Sequence, residues 1–466
     1  MQGEFLQILF VLVFSCSLIA VIILIVQLLR TRKQRDSYYR LAYHDPVTGY
    51  PNWNWMVNFI SDYDSPGGYD FVHFDVKSFK MINELYGHRA ANNFLRKICD
   101  EMQSIPWKKC AVRCDNDRFA MITEPMKEEE LRIRLLAFFA EISHLPNDKS
   151  YPIYFRCGVV QYGNMGQNKS IIADFAKMAQ RLGIKQNSTE IHFYTEQMKR
   201  NVLRSETLKR ELPNSIKNGE LLVYLQPKFY AASDKIYGAE ALIRWNYHKE
   251  KFLSPAEFVP LLEKNGAIEI IDRFVLNTVC KKLVEWKEKN LPLYPISVNL
   301  SRSQFNNVRM IEIIERIVSK YTLNRTLIEF ELTESAAYND QEYLLNTMMR
   351  IRDLGFNLSM DDFGTGFSSL SLLKDMPLTT LKIDKSFVDS IHHTNESHRD
   401  NLVVQDIITM TQHLNIASLA EGVETEEQRN LLRSWGCNYI QGYYYSKPIP
   451  VFDYESLLLN SSVISQ

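Results

Sequence analysis

The stretch Met360-Asp361-Asp362-Phe363-Gly364-Thr365-Gly366 sets two adjacent carboxylates ahead of two glycines one residue apart. The apolar residues before it, Leu354, Phe356, Leu358 and Met360, alternate with others as those of a half-buried strand do. Neighbouring strand residues point to opposite faces, so two acids at a strand's end converge only where the strand gives way to loop. Paired carboxylates at such an edge repel unless a cation lies between them or one holds a proton. A turn with a helix N-cap is the plain alternative, since Asp and Gly are common there. An isolated Asp-Asp-Phe-Gly reads as that turn, so the choice falls to the neighbouring strands.

Around this stretch, from about residue 206 to 455, one pattern repeats. Glu206 to Asn218 reads as a linker helix that stops at the Asn218-Gly219 turn signal. After it, β-rich runs end in a polar residue and are followed by segments of helical periodicity. Leu221 to Leu225 ends in Gln226-Pro227-Lys228, Ile236 to Ala239 in Glu240, and Pro295 to Val298 in Asn299. Leu327 to Phe330 ends in Glu331 with Glu334 beyond, and the opening strand in Asp361-Asp362. Leu378 to Leu381 ends in Lys382 with Asp384 next, Ile416 to Ala420 in Glu421, and Tyr439-Ile440 in Gln441. Strand–helix units of this kind predict an α/β fold, a TIM-barrel-like (β/α)8 domain with its polar residues at the C-terminal strand ends, where that fold builds active sites. Several acids at one rim need cations, and hard oxygen ligands without His or Cys favour Mg2+ or Mn2+ over Zn2+. Two such ions about 3.5–4 Å apart form the usual device for in-line phosphodiester displacement.

The 466 residues are too many for one ordinary domain, and a net charge of −1 gives no global field for nucleic acid. Phe5 to Leu29 is almost entirely apolar and uncharged, long enough to span a bilayer, and Arg30, Arg32, Lys33 and Arg35 follow it. The positive-inside bias predicts a single-pass helix over residues 5–29 in the cytoplasmic (inner) membrane, with everything downstream in the cytoplasm. A cleaved signal peptide fits less well, because Met1-Gln2-Gly3-Glu4 is not basic and no small-residue cleavage site ends the run. With only Met1 to Glu4 ahead of that span, no sensor domain is expected outside the membrane. The seven cysteines form no CxxC pair, as expected of a reduced compartment.

Residues 36–200 contain a strand Asp70 to Asp75, then Asp75-Val76-Lys77-Ser78-Phe79-Lys80-Met81-Ile82-Asn83-Glu84-Leu85-Tyr86-Gly87-His88. With Arg113-Cys114-Asp115-Asn116-Asp117-Arg118-Phe119 and Ala173-Asp174-Phe175-Ala176-Lys177, this order resembles the GGDEF domain of diguanylate cyclases. The resemblance implies a degenerate copy. Asp115 and Asn116 replace signature glycines, Arg118 stands where a metal-holding acid is expected, and Lys77 replaces the second strand aspartate. Asn92 stands where an Asp reads the guanine base, Asn83 is kept, and Pro106 and Lys109 replace the product-inhibition motif. Such a domain senses GTP, dimerises, or acts as a spacer; the sequence leaves these open.

In the second half, Glu240-Ala241-Leu242-Ile243-Arg244-Trp245 resembles the signature of the EAL phosphodiesterase family, which linearises cyclic di-GMP to pGpG. Gln226-Pro227-Lys228, Asn299-Leu300-Ser301, Glu331 to Ser335, Asp361 to Ser369, Lys382 to Phe387, Ala420 to Thr425 and Gln441-Gly442-Tyr443 support it in order. The resemblance implies one metal held by Glu240, Asn299, Glu331 and Asp361, and a second served by Asp361, Asp362 and Glu421. It further implies that Lys382 orients the attacking water or offsets transition-state charge, Gln441 positions that shell, Glu334 ties down the loop after Asp362, and either Glu421 or the metal-bound oxygen itself accepts the water's proton. Arg244, Gln226 and Asp384 are expected to bind substrate, and Phe367 stands where a Tyr is frequent. A homodimer is expected by the same resemblance. The chain is thus expected to be a membrane-anchored cyclic di-GMP phosphodiesterase; the alternatives are a receptor that binds without cutting and a bifunctional cyclase–phosphodiesterase, the latter opposed by Arg118 and Lys77.

Overall fold

The computed structural model describes residues 2–62, 68–145, 151–161, 171–183, 187–305, 309–333, 341–364, 373–391 and 398–463, with side chains at 2–20, 61–62, 302–303, 398 and 460–463 outside the description. The chain divides into two compact units, Met1–Asn201 and Val202–Gln466.

The first unit opens with helix α1 (Gln2–Tyr43), which covers the apolar run. Among the described residues no helix is long and apolar enough to cross a membrane, and the side chains at positions 5–20 of the expected span lie outside them. Five strands follow: β1 (Asp70–Val76), β2 (Lys108–Asp115), β3 (Arg118–Thr123), β4 (Phe155–Gln161) and β5 (Glu190–Phe193). They form one sheet in the order β2-β3-β1-β4-β5. Strand β1 is central and buried along its whole length, which explains why Phe71, Val72, Phe74 and Val76 are apolar on both faces. Phe74 stacks on Phe119 with ring centroids 5.2 Å apart. The one histidine in that run, His73, bonds Gln180 at 2.8 Å, and burial holds its pKa down to about 4. The expected signature hairpin is the β2–β3 turn, where Asn116 adopts a left-handed φ of 43°. Ala173 to Lys177 lies in the helix Ile172–Gln180.

A helix Glu196–Lys217 leads into the second unit, longer than the linker helix the sequence predicts, and Gly219 closes it with φ 70°. The strands are β6 (Leu221–Tyr230), β7 (Ile236–Tyr247), β8 (Lys251–Leu253), β9 (Ile296–Asn299), β10 (Ile328–Thr333), β11 (Asn357–Phe363), β12 (Thr380–Ile383), β13 (Ala417–Ala420), β14 (Tyr439–Ile440) and β15 (Ile449–Pro450). Pairings β6-β14-β13-β12-β11-β10-β9-β7 close on themselves through β6–β7, giving an eight-stranded barrel with β8 and β15 appended.

Two features differ from a uniform (β/α)8 unit. Strand β6 runs antiparallel to both its barrel neighbours, β7 and β14. The hairpin β6–β7 also carries both strands past their expected ends, so Gln226 and Glu240 sit within strands, directly opposite each other in register. The outward side chains Phe330, Leu332, Leu358, Met360 and Leu381 pack in one apolar core with the helix Ile268–Glu288 and its neighbours. The lumen differs from the branched-apolar layers usual in such barrels. Lys228, Ser297, Glu329, Glu331, Ser359, Lys382 and Gln441 are all buried.

Candidate active site

Strand β11 carries Asp361 and Asp362 as neighbours, which a regular strand would aim at opposite faces. The pairing of β11 with β12 shifts register between Met360 and Phe363, and Asp362 takes a left-handed φ of 54°. That irregularity turns the second carboxylate toward the first, at a local cost of order 1–3 kcal/mol that such sites commonly carry. Oxygens of Asp361, Asp362 and Glu421 then lie within 4.8 Å of one another. Gly364, at φ 98°, passes the ring of Phe387 so closely that a Cβ would meet it at 2.5 Å. Both the local conformation and that approach require glycine. Gly366, Glu334 and Phe367 lie outside the described residues.

Lys382, from β12, is the hub. Its Nζ lies 2.6 Å from Glu421, 2.8 Å from Glu331, 3.0 Å from Asp361 and 3.6 Å from Glu240. Asn299 donates to Glu240 Oε1 at 3.1 Å, while Gln441 donates to Glu240 Oε2 at 2.7 Å and to Gln226 Oε1 at 3.1 Å. Gln226 in turn donates to the Ser446 carbonyl at 3.2 Å. Thus six strands, β6, β7, β9, β10, β11 and β12, and the segments that follow β13 and β14 supply one cluster.

Four acids face Lys382 here, with Lys228 reaching only Glu331 among them, and the proton affinities register the excess of negative charge. Burial pushes the Glu421 carboxyl up to about 8, against the pull of Lys382 and with the Asp361 charge adding to the rise. Burial and then Glu331 raise Glu240, while burial and then Asp361 raise Asp362. Burial also opposes the charge on Glu331, but Lys228 and Lys382 hold it well below the ordinary carboxylate range. Burial would lower Lys382, yet the acids around it hold its ammonium well above the ordinary range. This all-oxygen donor set with excess negative charge fits a divalent cation. The residues able to hold it are Glu240, Asn299, Glu331, Asp361, Asp362 and Glu421.

Two cavities flank the cluster. One, of about 280 Å³, is lined by Gln226, Glu240, Asp361, Lys382, Glu421 and Tyr443 among others. The second, of about 310 Å³, includes Arg244, Asp272, Asn299, Asp361 and Asp362 in its wall. Arg244 donates to the Ile243 carbonyl at 2.8 Å and lies over the Tyr224 ring at 5.6 Å. Asp384 lines neither cavity; it caps the helix Lys385–Asp389 by accepting from Ser386 N at 2.9 Å. Sequence reasoning assigned no role to Lys228, Ser297 or Glu329, which lie in the lumen against Glu331. The available signal is that Lys228 follows Gln226 at the period of two that places both on one face of a strand.

In the first unit, Asp75 is engaged by Arg156 across the β1–β4 pair, with contacts of 2.9 and 2.7 Å. Lys77 is buried against Glu190 at 2.9 Å and the Ser188 carbonyl at 2.8 Å, so the unexpected cation has an acid of its own. Arg118 pairs with Asp115 at 2.6 Å.

An eight-stranded α/β barrel whose rim gathers carboxylates around a buried lysine defines the class. A sequence model of the EAL domain matches residues 209–448, more than half of the chain, and the chain belongs to that family. A second model, described as diguanylate cyclase, GGDEF domain, matches residues 42–187, so the two domains stand in tandem. A Caulobacter vibrioides protein called an uncharacterized signaling protein is 32% identical over 442 residues, covering 92% of this chain and 54% of its own length. The Pseudomonas aeruginosa bifunctional diguanylate cyclase/cyclic di-GMP phosphodiesterase MucR is 27% identical, covering 88% of this chain and 61% of its own. The chain thus spans between about half and three-fifths of the length of these relatives. A solved structure titled PaMucR phosphodiesterase, c-di-GMP complex, matches with 33% identity and a TM-score of 0.50, covering 53% of this chain and 99% of that one.

Proposed function

We propose that the second unit hydrolyses cyclic di-GMP to linear pGpG. The observation that carries this reading is the four-acid cluster around Lys382, with the Asp361, Asp362 and Glu421 oxygens within 4.8 Å of one another. The names of related proteins, cyclic di-GMP phosphodiesterases among them, supply the substrate class. Bound among these oxygens, Mg2+ or Mn2+ would lower the pKa of the attacking water and offset charge on the reacting phosphate.

The chain's own residues divide the remaining work. Glu421 takes the proton of the attacking water, and Lys382 Nζ, 2.6 Å away, compensates charge as it moves. The water oxygen bonds to phosphorus as the opposite P–O bond breaks; the departing sugar oxygen takes a proton from solvent, and Glu421 returns the one it received to solvent. Gln441 and Gln226 hold Glu240 in place, and Arg244 contacts a substrate phosphate from the second cavity wall. The burial of Lys382 and Glu331 keeps these interactions strong by keeping water out.

For the first unit we propose a non-catalytic regulatory role. Asp75 is taken by Arg156 and Arg118 by Asp115, arrangements in which a guanidinium stands where a divalent ion would need free carboxylates. The apolar run Phe5 to Leu29 within α1, and the basic residues after it, support a single-pass membrane anchor with both domains in the cytoplasm. Incubation of the chain with cyclic di-GMP and Mn2+ tests the main reading: pGpG is expected, and intact bound nucleotide would leave only a receptor.

A further inference from the structure

The lumen of the barrel holds a second lysine below the proposed site. Lys228, from β6, is 1% exposed, and its Nζ donates to Ser297 Oγ at 2.7 Å, Glu331 Oε1 at 2.8 Å and Glu329 Oε2 at 3.3 Å. Lys382 holds the other oxygen of Glu331, Oε2, at 2.8 Å. A carboxylate with each oxygen fixed by a separate ammonium, from strands on different sides of the lumen, has its plane and its reach both determined. Glu329 balances the extra charge beneath, and its Oε1 has no partner among the described atoms.

We propose that Lys228 is a positioning residue for the divalent-cation site: by gripping Glu331 Oε1 from inside the barrel it presents Oε2 to the rim. The inference rests on the phosphodiesterase reading for the role of Glu331. Ligand carboxylates are commonly oriented by such outer partners, whose loss weakens metal binding by about 10–100-fold. A lysine kept only for stability has a costly place here, because a buried ion pair is frequently no better than apolar residues of similar volume. The antiparallel course of β6 matters in this respect. It brings Lys228 alongside β9 and β10 deep in the lumen, two residues beyond Gln226, which faces Glu240 near the rim.

The test uses the full chain, chelator-treated, titrated calorimetrically with Mn2+ alone, followed by steady-state turnover of cyclic di-GMP. Lys228→Met is expected to weaken Mn2+ binding by about 10–100-fold and to lower kcat, with KM for the nucleotide within about twofold of wild type. Because Lys228→Met takes the ammonium from buried Glu329 and leaves Glu331 to Lys382 alone, it can prevent folding, and Lys228→Met/Glu329→Gln is the companion variant. It removes one acid with the lysine, so it is expected to melt nearer to wild type while still binding Mn2+ weakly. A purely structural lysine predicts the reverse, with Mn2+ affinity recovering alongside stability. Wild-type Mn2+ affinity in either folded variant overturns the proposal and leaves the phosphodiesterase reading standing; no Mn2+ binding by the wild-type chain overturns both.

Discussion

Glu421→Gln stabilises the chain in the absence of metal, and the gain grows with pH. Burial among Asp361 and Glu240 moves the Glu421 carboxyl from 4.5 to about 8 despite Lys382 at 2.6 Å. Between those two values the folded chain keeps a proton at Glu421 that the unfolded chain has released, so stability falls as pH rises across this window. At about 1.4 kcal/mol per pH unit, ionising Glu421 within the metal-free fold costs roughly 3–5 kcal/mol by pH 8.5. Glutamine keeps the shape and an acceptor for Lys382 but never ionises. Each kcal/mol moves Tm by about 2–4 °C in a unit of this size, so the variant should melt on the order of 10 °C higher at pH 8.5. At pH 5 the two should melt together. Thermal unfolding with chelator at several pH values is the assay, read on the transition of the second unit. Parallel curves, or a variant less stable throughout, would refute the charge-excess reasoning. Saturating Mn2+ should raise the wild-type Tm and move the variant much less.

Other outcomes follow from single contacts. A Cβ on Gly442 would meet the Val423 carbonyl oxygen at 2.1 Å, so Gly442→Ala should displace the adjoining Gln441 and lower both Tm and turnover. Arg244→Ala should raise KM by roughly tenfold with a smaller change in kcat, as loss of a substrate-phosphate contact predicts; an unchanged KM would remove Arg244 from the binding set. With GTP and Mg2+ the chain should form no cyclic di-GMP, and product detected by chromatography would reverse the reading of the first unit.

Much of the barrel was legible because its strands announce themselves locally. The alternation before Asp361 and the polar residue that closes each run are short-range patterns, and the strands they marked do meet in one cluster. What the sequence concealed depends on pairing between distant segments. Nothing in Leu221 to Tyr230 announces that β6 runs against its neighbours, and that reversal carries Lys228 into the lumen. Arg156, far from Asp75 in sequence, reaches it only through the β1–β4 register, and Lys77 finds Glu190 only across the sheet edge. The Asp361–Asp362 pair illustrates both sides of this. Its acids were plain, but their convergence depends on a register shift and one left-handed residue inside the strand rather than on the loop beyond.

The most direct test is single-turnover incubation of the purified chain with cyclic di-GMP and Mn2+, comparing wild type with Glu240→Ala. Linear pGpG should form in the wild type, require the metal, and fall by roughly 10²–10³-fold or more in the variant. Cyclic di-GMP that binds and remains intact, or a Glu240→Ala chain that cleaves at the full rate, would contradict the account.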